Sequence, residues 1–200
     1  MSQRIAEVIE ATSTEFTAGT YELLAAPPFG ALVRAQARAS GMAIYGLVYR
    51  IHTGSRDIGG RALVRGRTYD GRELYDAEIY HAHPDLAEVL QTEFSAIIVG
   101  FAEGDAIRQF LPPQPPPVHY SVYECDAGEV ARFNQALDYF RTVLFTPHIP
   151  GDEALAAAIR AAARTAADER AFLVRAGREI ASLLKDDYDR LTAILRRVRP

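Results

Sequence analysis

Residues 42–52 read MAIYGLVYRIH, and how they fold decides the architecture of the chain. Ile44, Leu47, Val48 and Ile51 stand too close together for a strand that buries one face only, because side chains alternate across a strand with a period of two. The stretch predicts a strand buried on both faces at its centre. Gly46 interrupts it. An isolated glycine in a strand pattern marks a bulge or a close backbone approach, as closed barrels need.

Working outward, further strands flank this one. On the N-terminal side, Ile5 to Ala11 alternates apolar and polar residues, Glu15 to Leu24 is rich in Thr, Phe and Tyr, and Ala31 to Ala37 forms a third strand. The turn AAPPFG (25–30) separates the last two, since its prolines cannot donate to a ladder. On the C-terminal side, residues 94–102 (FSAIIVGFA) and 106–111 predict a hairpin around Glu103-Gly104-Asp105, and residues 119–125 (HYSVYEC) a last strand. Between them, Leu74 to Leu90 reads as helix, with Pro84 starting a fresh turn. Short strands with closely spaced turns indicate a small, closed, mostly antiparallel barrel over residues 1–125.

The apolar spacing changes to three and four near residue 126. Asp126 with Glu129 forms a capping-box-like start, and Val130, Phe133, Leu137, Phe140 and Leu144 make one stripe that predicts one helix stopped by Pro147. Asp152 is the expected cap of an alanine-rich helix. Asp168 starts a third helical stretch, with a break at Asp186-Asp187. The fold class is therefore α+β: a barrel followed by a helical domain over residues 126–200.

Composition narrows the function. The net charge of −4 divides into −6 for residues 1–150 and +2 for residues 151–200, which argues against a protein that coats phosphates. Lys185 is the only lysine, beside 21 arginines, and it lies in an apolar-acidic run. A P-loop needs its lysine after a glycine-rich turn, so this chain has none, and any Schiff-base chemistry is confined to Lys185. Cys125, the single cysteine, cannot form an internal disulfide and reads as packing rather than a nucleophile. No G-x-S-x-G motif occurs. Met1 to Glu10 lacks the apolar core of a signal peptide, and no apolar run approaches the roughly 18 to 20 residues that span a bilayer. A cytoplasmic protein that uses no membrane and no cofactor is expected.

The N-terminal segment resembles the HAS barrel, the small β-barrel of HerA-type DNA-translocating ATPases and of rotary ATP synthase catalytic subunits. The residues that carry the resemblance are Ile5-Ala6-Glu7-Val8, Phe16, Gly30-Ala31-Leu32-Val33 and Ile44-Tyr45-Gly46-Leu47-Val48. The chain also resembles stand-alone bacterial HAS-barrel proteins, through Arg108 to Pro116 (RQFLPPQPP) and its helical tail. The likeness covers about the first 50 residues well and the rest more loosely. In the motors an ATPase core follows the barrel; here helices replace it. The resemblance implies a non-enzymatic adaptor that docks a HerA-like ATPase or its partner nuclease in DNA end processing. It also leaves room for a homo-oligomer.

Three segments are candidate sites. Residues 54–72 carry five glycines and Arg56, Arg61, Arg65, Arg67 and Arg72. Converging backbone N–H groups and guanidinium forks suit phosphate or nucleic acid, whereas Asp57, Asp70 and Glu73 make the alternative a neutralised, solvated loop. Leu111 to Pro117 (LPPQPPP) predicts polyproline II, with Pro112, Pro113, Pro115 and Pro116 as either a ligand for an aromatic groove or a rigid strap that blunts a sheet edge. The C-terminal stripe with Leu191 and Leu195, ending in Arg196, Arg197 and Arg199, reads as core or as a docking helix. His81, His83 and Asp85, with His119 joining in space, are weak zinc candidates without a fourth ligand in the spacing, so no metal is assigned.

Overall fold

The computed structural model describes residues 3–39, 41–57 and 59–198. Seven strands, β1 (Arg4–Ala11), β2 (Glu15–Thr20), β3 (Leu32–Gln36), β4 (Met42–Ser55), β5 (Leu90–Glu103), β6 (Ala106–Arg108) and β7 (Ser121–Glu124), form one sheet in the order β2-β1-β7-β3-β4-β5-β6. β2 also pairs with β5, so six strands close into an antiparallel barrel, and β6 rides on β5 as an outer strand. β2 ends at Thr20 rather than Leu24. There the chain turns back, and the Leu24 N–H donates to Thr92 Oγ1 at 2.8 Å.

The barrel has no lumen. Ala6, Val8, Phe16, Ala18, Val33, Ala35, Ile44, Val48, Phe94, Ala96, Ile98, Phe101 and Val122 fill it with buried side chains, as expected of so small a barrel. Gly46 is needed here, since a Cβ on it would lie 2.7 Å from the Phe16 ring and 2.9 Å from Ala96 Cβ. A bulge sits opposite it. Tyr45 pairs with Gly100 and Gly46 with Ile98, which leaves Val99 as the extra residue. In a regular strand Phe101, three positions after Ile98, would face outward; the bulge turns both into the barrel.

The other face of β4 and β5 meets a helical layer. This layer comprises α3 (Ala127–Phe133), α4 (Tyr139–Phe145), α5 (Gly151–Ala163), α6 (Glu169–Leu183) and α7 (Tyr188–Val198). Tyr45, Leu47, Ile97 and Val99 pack in one core with Phe133, Tyr139, Phe140, Leu155 and Ile159. The 42–48 segment is thus buried on both faces because it separates two cores. Asp126 and Glu129 form a complete capping box at α3, and the Arg34 guanidinium of β3, stacked over Tyr123, lies 2.7 Å from the Glu129 carboxylate. Asp168 caps α6 by accepting from the Ala171 N–H at 2.9 Å, and the chain breaks between α6 and α7 at 184–187.

Two helix expectations are corrected. The stripe from Val130 to Leu144 folds as α3 and α4 rather than one helix. The break is stabilised from a distance: the Gln109 amide donates to Phe133 O (2.7 Å) and Ala136 O (3.1 Å) and accepts from Tyr139 N (3.2 Å). Arg175 of α6 donates to Asn134 O (2.6 Å) and Gln135 O (3.2 Å). Asp152 does not cap α5, whose N-cap is Pro150. Its carboxylate instead takes a two-pronged ion pair from Arg190 of α7, which also donates to Leu144 O. A charge-assisted fork outcompetes a backbone cap.

Candidate functional site: the β4–β5 arm

β3 pairs with residues 43–47 of β4 and goes no further. Past Val48, β4 continues with β5 alone, as a two-stranded ribbon reaching Ser55 and Leu90. Tyr49 marks the transition. It is the extra residue of a second bulge, and its hydroxyl donates to Glu15 Oε2 at 2.6 Å. Burial and the adjacent Glu15 carboxylate push the Tyr49 phenol up to about 12.

Residues 56–89 crown this ribbon. The helix expected over 74–90 appears as two short pieces, α1 (Ala77–Ala82) and α2 (Leu86–Val89). Pro84 disfavours helical backbone at His83, which takes φ −127 and ψ 71. Leu74 and Leu86 are buried; the Arg56 N–H donates to Val89 O, extending the ladder of the ribbon into the crown, and the Leu74 N–H donates to Gly66 O within it, both at 2.9 Å. Arg61, Leu63, Ile79, Tyr80, Leu86 and Val89 line a cavity of about 380 Å³ within it.

The five candidate arginines come together here, but their charge is mostly spent within the arm. Arg65 pairs with Asp85 and Arg67 with Glu73, each at 3.4 Å, and Arg72 pairs with Glu78. Arg56 donates from Nε to Leu90 O at 3.0 Å. Arg61 alone of the five makes no ion pair or hydrogen bond among the described residues. Hydrogen bonds from Tyr75 and Arg67 hold the Glu73 carboxyl below its usual range, and the Thr68 hydroxyl does the same for Asp70. Residues 54–89 contain five arginines against seven carboxylates. Among its exposed charged residues the crown also presents large apolar side chains to water: Leu63 is 77% exposed, Val64 97%, Tyr69 fully and Tyr75 64%.

Of the other candidates, His81 and His83 share the crown and the rest lie elsewhere. His81 is exposed on α1, and His83 half-buried with Nε2 buried and unpartnered. His119 sits in the turn before β7, its Nδ1 2.7 Å from Glu7 Oε1, and does not join them. Among the described residues no three His, Cys, Asp or Glu side chains gather as metal ligands. The segment Leu111 to Pro117 spans from β6 to β7; Pro116 is buried, Pro112 and Pro115 half-buried, and Pro113 exposed. Leu191 and Leu195 are half-buried beside the buried Ile194 and Val198, with Leu195 lying over Gly177 of α6. Arg197 pairs with Glu153 at 2.5 Å, Arg196 is exposed, and Arg199 lies outside the described residues.

Burial, and after it the nearby Glu129 carboxylate, pushes the Cys125 thiol up, away from the reactive thiolate. Lys185 is exposed between α6 and α7. No helix among the described residues is long and apolar enough to cross a membrane. Local spacing gave no sign of Gln109 and Arg175, whose partners are backbone groups far along the chain. No protein-family model matches this chain. No curated protein matches it either.

Proposed function

We propose that this chain is a non-enzymatic docking subunit that presents its β4–β5 arm to a partner protein. The observation that carries this reading is the surface of the crown. Leu63, Val64, Tyr69 and Tyr75 are turned to water, while Arg65, Arg67 and Arg72 of the crown are paired with its own carboxylates. Large exposed apolar side chains in one region mark protein contact, whereas a nucleic-acid surface keeps its guanidinium groups free for phosphate. The resemblance to the HAS barrel suggests the partner: a HerA-like DNA-translocating ATPase or its nuclease.

The test is co-elution of the purified chain with the HerA-like ATPase and nuclease of its own genome. Complex formation is expected with the wild type. A variant carrying Leu63→Ser, Val64→Ser, Tyr69→Ser and Tyr75→Ser should bind at least about tenfold more weakly, the loss of 1.4 kcal/mol, with its melting temperature unchanged. Failure of both proteins to bind rejects the assignment. A salt-dependent DNA affinity that falls with Arg61→Ala, Arg65→Ala and Arg67→Ala together would favour the nucleic-acid alternative instead.

A further inference from the structure

The barrel closes its strand edges, but the arm leaves one open. Arg56 N–H donates to Val89 O, so Arg56 is bonded towards β5, and by the alternation of an antiparallel ladder so are Gly54, His52 and Arg50, opposite Gln91, Glu93 and Ser95. The N–H and C=O groups of Ile51, Thr53 and Ser55 therefore point the other way. No strand covers them, and among the described residues none takes part in a backbone hydrogen bond on that side. The opposite border of the ribbon is covered, because Thr92 accepts from Thr20 and Leu24.

The second free edge of the sheet, on β6, is treated differently. β6 is three residues long and runs into Pro112, Pro113, Pro115 and Pro116, the usual protection of an edge against foreign strands. The β4 edge has no proline between Met42 and Ser55. What it has are two guanidinium groups without a carboxylate partner among the described residues, Arg50 and Arg56, with Glu93 standing across the ribbon from His52 between them. Arg50 is exposed without an ion pair among the described residues, His52 is exposed on the same face with its ring over Gly54, and Arg56 follows.

We propose that the free edge of β4 takes an extended, acidic segment of a partner protein as an added strand. This rests on the docking reading above and names the chemistry of the segment that is docked. Three rungs at Ile51, Thr53 and Ser55 fit about five residues of partner chain, since alternate residues of a strand bond to one side. Ile51, 43% exposed, offers an apolar contact on one face, and Arg50 and His52 attract carboxylates on the other. A second copy of this chain is a poor occupant. Antiparallel pairing about Thr53 sets Arg50 of one copy opposite Arg56 of the other, a destabilising like-charge pair.

The probe is a fluorescein-labelled peptide, acetyl-Glu-Val-Glu-Thr-Glu-Val-Glu-amide, titrated with the full chain by anisotropy at low salt. Binding is expected with a dissociation constant below about 1 mM. N-methylation of alternate peptide bonds, or replacement of each Glu by Lys, should abolish it. Thr53→Pro should weaken it by at least about tenfold, because proline deletes an N–H that faces away from β5 and leaves the arm's own ladder whole. Three results overturn the proposal: no binding up to about 1 mM, equal binding of the N-methylated peptide, or equal binding of the lysine peptide. Failure of Thr53→Pro to fold leaves the peptide arms decisive. Co-elution with the ATPase or nuclease that survives Thr53→Pro overturns the edge while the docking role stands. Peptide binding without co-elution keeps the edge and removes the named partners.

Discussion

The two halves of β4 are one strand under opposite constraints. From Met42 to Val48 it is bonded along both borders, with Ile44 and Val48 in the barrel and Tyr45 and Leu47 in the helical core. From Arg50 to Ser55 it is bonded along one border only, and Arg50, Ile51, His52 and Thr53 face water. One unpaired residue, Tyr49, divides them. A strand that separates two cores has no surface left for recognition; once it leaves the barrel, one border of its backbone is open to water. Two glycines allow the same change to be made on each half. Gly46→Ala places a methyl group within 2.7 Å of Phe16 and 2.9 Å of Ala96, neither of which has space to retreat. Urea unfolding should show a loss of about 2–3 kcal/mol, the usual cost of overpacking. A loss below about 0.5 kcal/mol, typical of an unconstrained surface site, would erase the distinction between the halves.

The buried half depends on helices that stay in place, and Gln109 holds their weakest point. Gln109→Leu leaves Phe133 O, Ala136 O and Tyr139 N without their side-chain partner at the α3–α4 break. An expected loss of about 1–3 kcal/mol should appear in hydrogen exchange as faster opening of α3 and α4, with the arm unchanged. Equal acceleration in residues 50–55 would mean that arm and body open as one unit.

Gln109 also shows where sequence reading stops. The strand over 42–52, the caps Asp126 and Asp168 and the break at 186–187 were legible, because each depends on neighbours within a few positions. Of the two readings of Gly46, the structure has the close approach there, with the bulge on the strand opposite. The split of the stripe from Val130 to Leu144 was not legible. Its spacing suits one helix, and the bonds that make two come from residues 109 and 175. The same holds in the arm. The five arginines left a phosphate site and a neutralised loop both open, because the acidic partners of three of them stand at unhelical separations: Arg67 with Glu73, Arg72 with Glu78, Arg65 with Asp85. No periodicity announces such pairs. The open edge at Ile51, Thr53 and Ser55 is a property of backbone direction, which side-chain patterns do not encode.

On the exposed half, Gly54→Ala is the counterpart of the first substitution. The added Cβ meets only the tip of the His52 ring, 2.7 Å away, and that ring can swing into solvent. Stability should stay within about 0.5 kcal/mol of wild type, with any gain coming from a stiffer unfolded chain. A loss as large as that of Gly46→Ala would show the arm to be packed as tightly as the barrel.

Tyr49 gives a modest, pH-dependent effect, and it reports on the boundary itself. Its phenol ionises near 10 in an unfolded chain and near 12 in the folded one, held neutral by burial and by its bond to Glu15. The folded state therefore binds this proton more tightly, so the contribution is fully present below pH 10 and fades as pH rises from 10 towards 12. Tyr139 and Tyr45 are also pushed up by burial, so the wild-type curve alone mixes several phenols. The difference between wild type and Tyr49→Phe cancels the others. Below pH 10 the wild type should be more stable by about 1 kcal/mol, a modest value for a half-buried hydrogen bond, and the gap should close as Tyr49 ionises beside a carboxylate. A gap that stayed constant to pH 12 would mean that the Glu15 bond does not persist in solution. The β4 bulge would then be secured by its ladder alone, with no side-chain latch between the buried half of the strand and the exposed one.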